Sequence, residues 1–320
     1  MQQRQLAGSE IFVTSVVVSF NRRTTLERVL SAVVSQTRTP DAVLVVDNGS
    51  TDGSREYLRD LVSGHPRISL IETGTNRGGA GGFALGTAVA LIEGADALWL
   101  MDDDAIPYPD CLEHLVKALT EAPDIPFAAP TVVDTDGDLH TRNRPFLDHR
   151  IPFAVAAAAA GQLSIAAGSF VGPLIRAESA RQTHLPLDDF FIWHDDTEYT
   201  ARLAGSTPGR QLPLACITHL AGQAGPASFV AERSIRNVRN LVWCARESRL
   251  SARSTASALS TRQWVDLLRG IVTGQLRNGP RRSRPAILRA AVTGLREGFR
   301  SRPRHRFPDA LLREDDFIRR

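Results

Sequence analysis

Ala97-Leu98-Trp99-Leu100-Met101-Asp102-Asp103-Asp104 is the stretch whose reading decides the fold. Five apolar residues in a row read as a buried strand, and three carboxylates follow it directly. Carboxylates crowded at a strand end repel one another and lose hydration. Either the loop is a solvated acidic turn, or a cation compensates the charge. Mg²⁺ or Mn²⁺ suits the second reading, because such hard ions take oxygen ligands from one or two carboxylates and from substrate phosphates. The position matters as much as the charge, since open α/β sheets bind ligands at the carboxyl ends of their strands.

Upstream, strands and helices alternate. Residues 11–20 form a β-branched apolar run with the pattern of a buried strand, and Thr24 or Thr25 can cap a helix carrying Leu26, Val29, Leu30 and Val33 at helical spacing. A second strand at 42–46 ends in Asp47-Asn48-Gly49-Ser50. Asp52 is expected to cap the next helix, whose apolar face is Tyr57, Leu58 and Leu61. A third strand at 68–71, a helix at 81–92 and the strand at 97–101 complete a βαβαβαβ order. That order predicts an α/β doubly wound sheet with right-handed crossovers.

The chain has 320 residues, enough for one large domain with an appendage or for two domains, and its 42% hydrophobic and 23% charged content is that of a globular protein. Cys111, Cys216 and Cys244 are far apart and predict reduced thiols, as in a cytoplasmic protein, rather than a disulfide framework or a zinc site. Residues 1–10 are polar and lack the apolar region of a signal peptide. Residues 151–175 carry no charge and are numerous enough to span a bilayer. Pro152, Gly161, Gln162, Ser164, Gly168 and Pro173 interrupt them, so the reading is an Ala-rich helix, a turn and a buried strand around 169–175.

Charge is divided along the chain. Residues 231–320 hold 21 arginines, no lysine and 8 acids, a local balance of +13 against +3 overall, so the preceding part stands near −10 (3 − 13). An acidic body at 1–228 with a basic helical region at 229–320 is the expected organisation, the helices breaking near Asn278-Gly279-Pro280 and Pro303. Such a basic region suits an anionic surface, for which Arg281, Arg282, Arg284, Arg300, Arg302, Arg304 and Arg306 are candidates. A solvated helical face or a contact within a homo-oligomer is the competing reading.

Four further motifs bear on chemistry. Strand one ends in Ser19-Phe20-Asn21-Arg22 and strand two in Asp47-Asn48-Gly49-Ser50, on one rim of the sheet where a nucleotide can sit. Asp47 can accept from a base or ribose, and Asn21 and Arg22 can donate; simple turn chemistry explains the same residues. Asn76-Arg77-Gly78-Gly79-Ala80-Gly81-Gly82-Phe83 opens a helix, where backbone N–H groups can meet phosphate, or where glycines serve close helix–sheet packing. Its spacing is neither a dinucleotide fingerprint nor a P-loop. Phe190-Phe191-Ile192-Trp193-His194-Asp195-Asp196-Thr197-Glu198-Tyr199 sets an apolar wall beside carboxylates whose pKa values burial can raise. A capped helix start is the alternative. His219, ending an apolar strand, can complete a metal site around Asp104.

Taken together, V-V-V-S-F-N-R, V-V-D-N-G-S-T-D, N-R-G-G-A-G-G-F, W-L-M-D-D-D and F-F-I-W-H-D-D-T-E-Y resemble family 2 glycosyltransferases of the GT-A fold over residues 11–225. Within that family the glycine-rich segment followed by D-D-D-A is most similar to actinobacterial galactofuranosyltransferases of cell-wall galactan synthesis. The resemblance implies a GT-A type doubly wound mixed sheet with a C-terminal arginine-rich helical region. It implies donor contacts from Phe20, Arg22, Asp47, Asn76, Arg77, Asp102 and Asp103, and metal ligation of Mg²⁺ or Mn²⁺ by Asp104, His219 and Asp102. Asp196 would be the general base, with Asp195 the alternative if the frame slips at His194; Trp193, His194 and Glu198 would face the acceptor.

The implied reaction is inverting transfer of galactofuranose from UDP-galactofuranose to a lipid-linked glycan at the inner face of the cell membrane. A rhamnosyltransferase using dTDP-rhamnose keeps the same fold with another donor. A sugar-1-phosphate nucleotidyltransferase would want glycines in residues 19–25, which lack them. A nucleic-acid-binding protein would leave both acidic clusters unexplained, and the basic tail lacks regular aromatic interleaving.

Overall fold

The computed structural model describes residues 11–220, 230–251, 261–278, 283–314 and 317–320. The expectations for residues 1–10, Arg281 and Arg282 lie outside them. The first half follows the expected alternation: β1 Val13–Ser19, α1 Arg23–Val34, β2 Ala42–Asp47, α2 Ser54–Gly64, β3 Ile68–Glu72, α3 Gly78–Ile92 and β4 Ala97–Asp102. Then come β5 Ala105–Pro107, α4 Cys111–Glu121, β6 Phe127–Val133, β7 Phe146–Leu147, α5 Ile151–Ala159, β8 Leu163–Ala167, β9 Leu174–Arg176 and α6 Ala177–Arg181. A short 3₁₀ turn at Asp188–Phe190 leads into α7 Asp195–Leu203 and β10 Gly209–His219. The arginine-rich region forms α8 Ala231–Ser251, α9 Thr261–Asn278, α10 Arg284–Arg300, α11 Pro308–Glu314 and β11 Ile318–Arg319.

The strands make one mixed sheet in the order β11-β3-β2-β1-β4-β9-β6-β10-β8-β7, with β5 added to β10. β1, β2, β3 and β4 pair in parallel, while β9 joins β4 antiparallel. Both faces are covered, which is why the strands read as unbroken apolar runs. Val13, Val17, Val43, Val45, Trp99 and Met101 pack with Leu26, Leu58 and Leu115 of α1, α2 and α4. Their alternate neighbours Val16, Val18, Leu44, Val46, Leu98 and Leu100 pack with Phe83, Leu85 and Val89 of α3 on the other face. This period of two fixes the register of the central strands and so brings β1, β2 and β4 to end on one rim.

Local details depart from expectation in three places. Neither Thr24 nor Thr25 caps α1; the Thr25 hydroxyl instead donates to the Arg22 carbonyl. Gly53, in the left-handed region, is the residue before α2, and Asp52 accepts from the Ser54 N–H from one position further out. The strand expected at 169–175 shrinks to Leu174–Arg176, because Gly172 turns with φ +82° and its carbonyl accepts from the Trp99 indole. Among the described residues no helix is long and apolar enough to cross a membrane.

The basic region is built into the body. β11 extends the sheet beside β3, and Arg320 reaches Glu72 at 2.7 Å. Leu241, Trp243 and Cys244 of α8 pack with Leu187 and Phe190. Arg304 pairs with Asp189 at 2.6 Å and Arg306 with Asp188 at 3.5 Å. Those two arginines, expected on an anionic surface, therefore spend charge on internal partners. Arg284, Arg300 and Arg302 remain exposed.

Helix α3 lies close on the sheet at Gly86, where a Cβ would strike Val16 and Val46. Gly86→Val is expected to cost about 1–3 kcal/mol through overpacking, read as a lower urea midpoint with an unchanged m-value.

Candidate active site

The parallel strands β1 and β4 carry Phe20, Arg22 and the three aspartates to the same rim. Asp102 is the last residue of β4, and the β4–β5 turn brings Asp103 and Asp104 back beneath it. β10 runs antiparallel to β5 with His219 opposite Ala105, which delivers the imidazole to this turn. One ligand atom from each of Asp102, Asp104 and His219 lies within 4.8 Å of the others, and His219 Nε2 stands 3.2 Å from Asp104 Oδ1. His219 Nδ1 is 2.9 Å from Asn143 Oδ1. With Nδ1–H donated there, release of the Nε2 proton that otherwise bonds Asp104 would leave a lone pair aimed at the carboxylates, the arrangement that prepares a histidine for a metal.

Charge compensation differs from one aspartate to the next. Burial pushes Asp102 well above the usual carboxylate range, and Asp104, Asp103, Asp195 and Asp196 push it further. Burial also drives Asp103, up to about 6, although its Oδ2 accepts from the Phe20 N–H at 2.9 Å. For Asp104 burial acts upward too, but the bond to His219, the charge there and the Arg22 guanidinium at 2.8 Å outweigh it, and its pKa falls. Two oxygen donors and one nitrogen, with Asp102 raised by burial and by its acidic neighbours, fit a divalent cation.

Three loops are knitted beneath the rim. Asn48 is buried and donates to the Gly78 carbonyl at 2.8 Å while accepting from the Arg77 N–H at 3.1 Å. Asn76 Oδ1 accepts from the Gly78 N–H, and Asn21 Oδ1 from the Thr51 N–H. Phe20, just past the end of β1, is 38% exposed. The glycines divide between uses. Gly82 and Gly86 let α3 approach Val18 and Val16 of the sheet, whereas at Gly78, with φ +72°, a Cβ would collide with the Phe191 carbonyl. The glycine-rich loop thus touches the aromatic–acidic loop, and the Ala80 N–H donates to that same carbonyl at 3.2 Å.

The aromatic–acidic loop is strained: Phe191, Trp193 and His194 all have positive φ, at 63°, 69° and 68°. Such conformations in non-glycine residues persist only where surroundings enforce them, and they concentrate at functional sites. Trp193 is 37% exposed beside Asp195 and Asp196, which open α7. Burial raises Asp195 to about 8, with Asp196 adding to it. Asp196 is raised by burial as well, opposed by the Thr197 N–H at 2.6 Å and by His194. Both residues also raise Asp102, so folding brings the two acidic clusters into electrostatic range.

Two expected residues are not open to a ligand. Glu198 is fully buried and gives both oxygens to Arg202, at 2.8 and 2.9 Å, so it holds α7 to the 183–185 segment rather than facing an acceptor. Asp47 is also fully buried, accepting from the Ser50 N–H and pairing with Arg55 at 2.9 Å; it shapes the β2 turn beneath the rim. Sequence reasoning missed Asn48, Asn143, Asn237 and Asn240. Nothing in a lone asparagine among polar or arginine-rich neighbours signals that its amide will bridge distant segments.

A mixed sheet with strand-end aspartates and a histidine on one rim is the architecture of GT-A nucleotide-sugar enzymes. The chain belongs to glycosyl transferase family 2, whose model matches residues 14–182. Galactofuranosyltransferase GlfT1 of Mycolicibacterium smegmatis is 33% identical over 202 residues, 61% of this chain and 66% of that relative. The match therefore spans just under two thirds of that relative's length. An N-acetylglucosaminyl-diphospho-decaprenol L-rhamnosyltransferase of Mycobacterium tuberculosis is 29% identical over 139 residues, 40% of this chain and 44% of the relative. In fold, the chain is similar to a mannosyltransferase of Pyrobaculum calidifontis solved with GDP-Man and Mn²⁺, with TM-score 0.56 and 19% identity over 91% of this chain and 77% of that one.

The raised Asp195 has a consequence for stability. Between the ordinary carboxylate value, about 4, and about 8, the folded chain holds a proton that the unfolded chain has released. Stability contributed at this site is therefore greatest at low pH and falls as pH rises through that window. Asp195→Asn lacks this titration, so its melting temperature relative to wild type should rise steadily from pH 5 to pH 8 in thermal scans.

Proposed function

We propose that the protein is an inverting, metal-dependent glycosyltransferase moving galactofuranose from UDP-galactofuranose to a lipid-linked cell-wall glycan. The observation that carries this reading is the convergence of Asp102, Asp104 and His219 with the raised pair Asp195 and Asp196. Asp102, Asp104 and His219 would hold Mg²⁺ or Mn²⁺, which when bound neutralises charge on the departing diphosphate. Phe20, Arg22, Asn76, Arg77 and Asp103 would hold the nucleotide and sugar. Trp193, with His194 behind it, would orient the acceptor ring.

Asp196 would take the acceptor hydroxyl proton as that oxygen attacks the anomeric carbon. It is the better base of the two, being the more exposed. Asp195, protonated to about 8, would keep a second negative charge away from it. Residues 1–228 would form the nucleotide-sugar body, with 229–320 packed onto it. The likeness to a galactofuranosyltransferase over more residues and at higher identity favours this donor over dTDP-rhamnose.

Asp196→Asn should lower kcat by about 10²–10⁴ with little change in UDP–Mn²⁺ affinity, whereas Asp104→Ala should lose that affinity too. Steady-state kinetics with UDP-galactofuranose and dTDP-rhamnose, paired with calorimetry, checks both; wild-type turnover in Asp196→Asn would remove the base.

The basic region would place the enzyme at the inner face of the membrane. Helix α10 buries Ile287, Ala290, Ala291 and Gly294 but carries Leu288, Val292, Leu295 and Phe299 along an adjoining stripe, 51%, 47% and 66% exposed at Leu288, Val292 and Phe299. Exposed Arg289, Arg296 and Arg300 border it. Apolar residues edged by arginines suit an anionic bilayer surface, each arginine adding about 1 kcal/mol. Flotation with phosphatidylglycerol vesicles should show salt-sensitive binding that weakens at least tenfold when these three arginines become glutamine; equal binding to neutral vesicles would refute it.

A further inference from the structure

We infer that Asn240 and Asn237 of helix α8 are positioning residues for sugar transfer, clamping the loop that carries the base. This rests on the reading of Asp196 above. Asn240 is fully buried, and its side-chain amide donates to three backbone carbonyls of one loop: Phe190 at 2.8 Å, Ile192 at 2.8 Å and Trp193 at 3.1 Å. These residues flank Phe191 and precede His194, and the segment contains the three departures to positive φ at Phe191, Trp193 and His194. Backbone in that region is strained for residues other than glycine, so something must hold it. With carbonyls turned inward and no strand to pair them, Asn240 supplies the donors.

One turn earlier on the same face, Asn237 Oδ1 lies 2.7 Å from His194 Nε2. His194 is the residue immediately before α7, in the left-handed region, and its carbonyl accepts the Glu198 N–H that starts the helix. Fixing this ring fixes the direction in which α7 leaves the loop, and with it the aim of Asp195 and Asp196. The other side of the loop is fixed by the glycine-rich segment, through the Ala80 N–H and the absent Cβ of Gly78. Arg236 lies over the Phe191 ring, its guanidinium 4.6 Å from the centroid, and Arg239 donates to the Asp189 carbonyl at 3.1 Å. The loop is thus gripped between the donor-side loop and a helix from the far end of the chain. Asn237 and Asn240 touch neither nucleotide nor reacting atoms; they act through the backbone that presents the base.

Hydrogen–deuterium exchange and kinetics of the full chain test the clamp. In Asn240→Ala, amides of residues 190–197 should exchange at least tenfold faster while those of 13–19 do not change. Turnover should fall at least tenfold, with UDP–Mn²⁺ affinity by calorimetry within threefold of wild type. Should Asn240→Ala fail to fold, Asn237→Leu removes only the partly exposed bond to His194 and is expected to lower kcat in the same manner. Asn237→Asp keeps an acceptor at that place and should restore most of the turnover lost in Asn237→Leu.

Unchanged exchange at 190–197 in both Asn240→Ala and Asn237→Leu would overturn the clamp, and faster exchange with wild-type kcat would overturn its role in positioning. If wild type transfers no sugar from any nucleotide donor, the functional reading fails instead, and exchange alone judges the clamp.

Discussion

Five carboxylates forced into one neighbourhood are the constraint on which this structure turns. Asp102, Asp103, Asp104, Asp195 and Asp196 come from two segments nearly a hundred residues apart, and burial and mutual repulsion raise all but Asp104. A fold does not gather such charge for stability, because each desolvated carboxylate opposes folding unless it is paired or protonated. Compensation is partial: Arg22 and His219 answer Asp104, one backbone N–H answers Asp103, and another answers Asp196. The remaining imbalance is what a cation with its phosphates would relieve.

The rest of the architecture holds that neighbourhood in place. A sheet covered on both faces sets β1 and β4 in register, so Phe20 and the aspartate turn cannot slide relative to each other. Close packing of α3 at Gly82 and Gly86 brings the glycine-rich loop down against Phe191. The glycine-rich loop and the aromatic–acidic loop are therefore joined through backbone contacts. The basic region closes the arrangement, since α8 meets the loop and β11 returns to the sheet at β3.

Charge segregation along the chain has two separate outcomes in space. Arg304, Arg306 and Arg320 neutralise acids of the body and fasten the terminal region to it. Arg289, Arg296 and Arg300 stay in solvent beside an apolar stripe. Composition alone could not separate these roles, because an arginine count carries no information about which acids fold within reach. The excess of +13 in residues 231–320 is real as a sum and misleading as a surface.

By itself the sequence determined the alternating elements, the doubly covered sheet and the two acidic strand-end clusters. Those follow from local periodicity and from residue types that only a few chemistries can use. Asp102, Asp104 and His219 were legible as a candidate cluster because hard divalent cations favour carboxylate oxygen and accept imidazole, and the three stand at strand ends. Tertiary structure alone decided that Glu198 and Asp47 are occupied by Arg202 and Arg55, that Asn143 sets the His219 ring, and that Asn237 and Asn240 grip a strained loop. Arg202 and Arg55 stand four and eight residues from Glu198 and Asp47, but only the fold buries those carboxylates. An asparagine amide acquires its role from the partner folding brings to it, and the partners of Asn143, Asn237 and Asn240, forty or more residues away, leave no trace in local pattern.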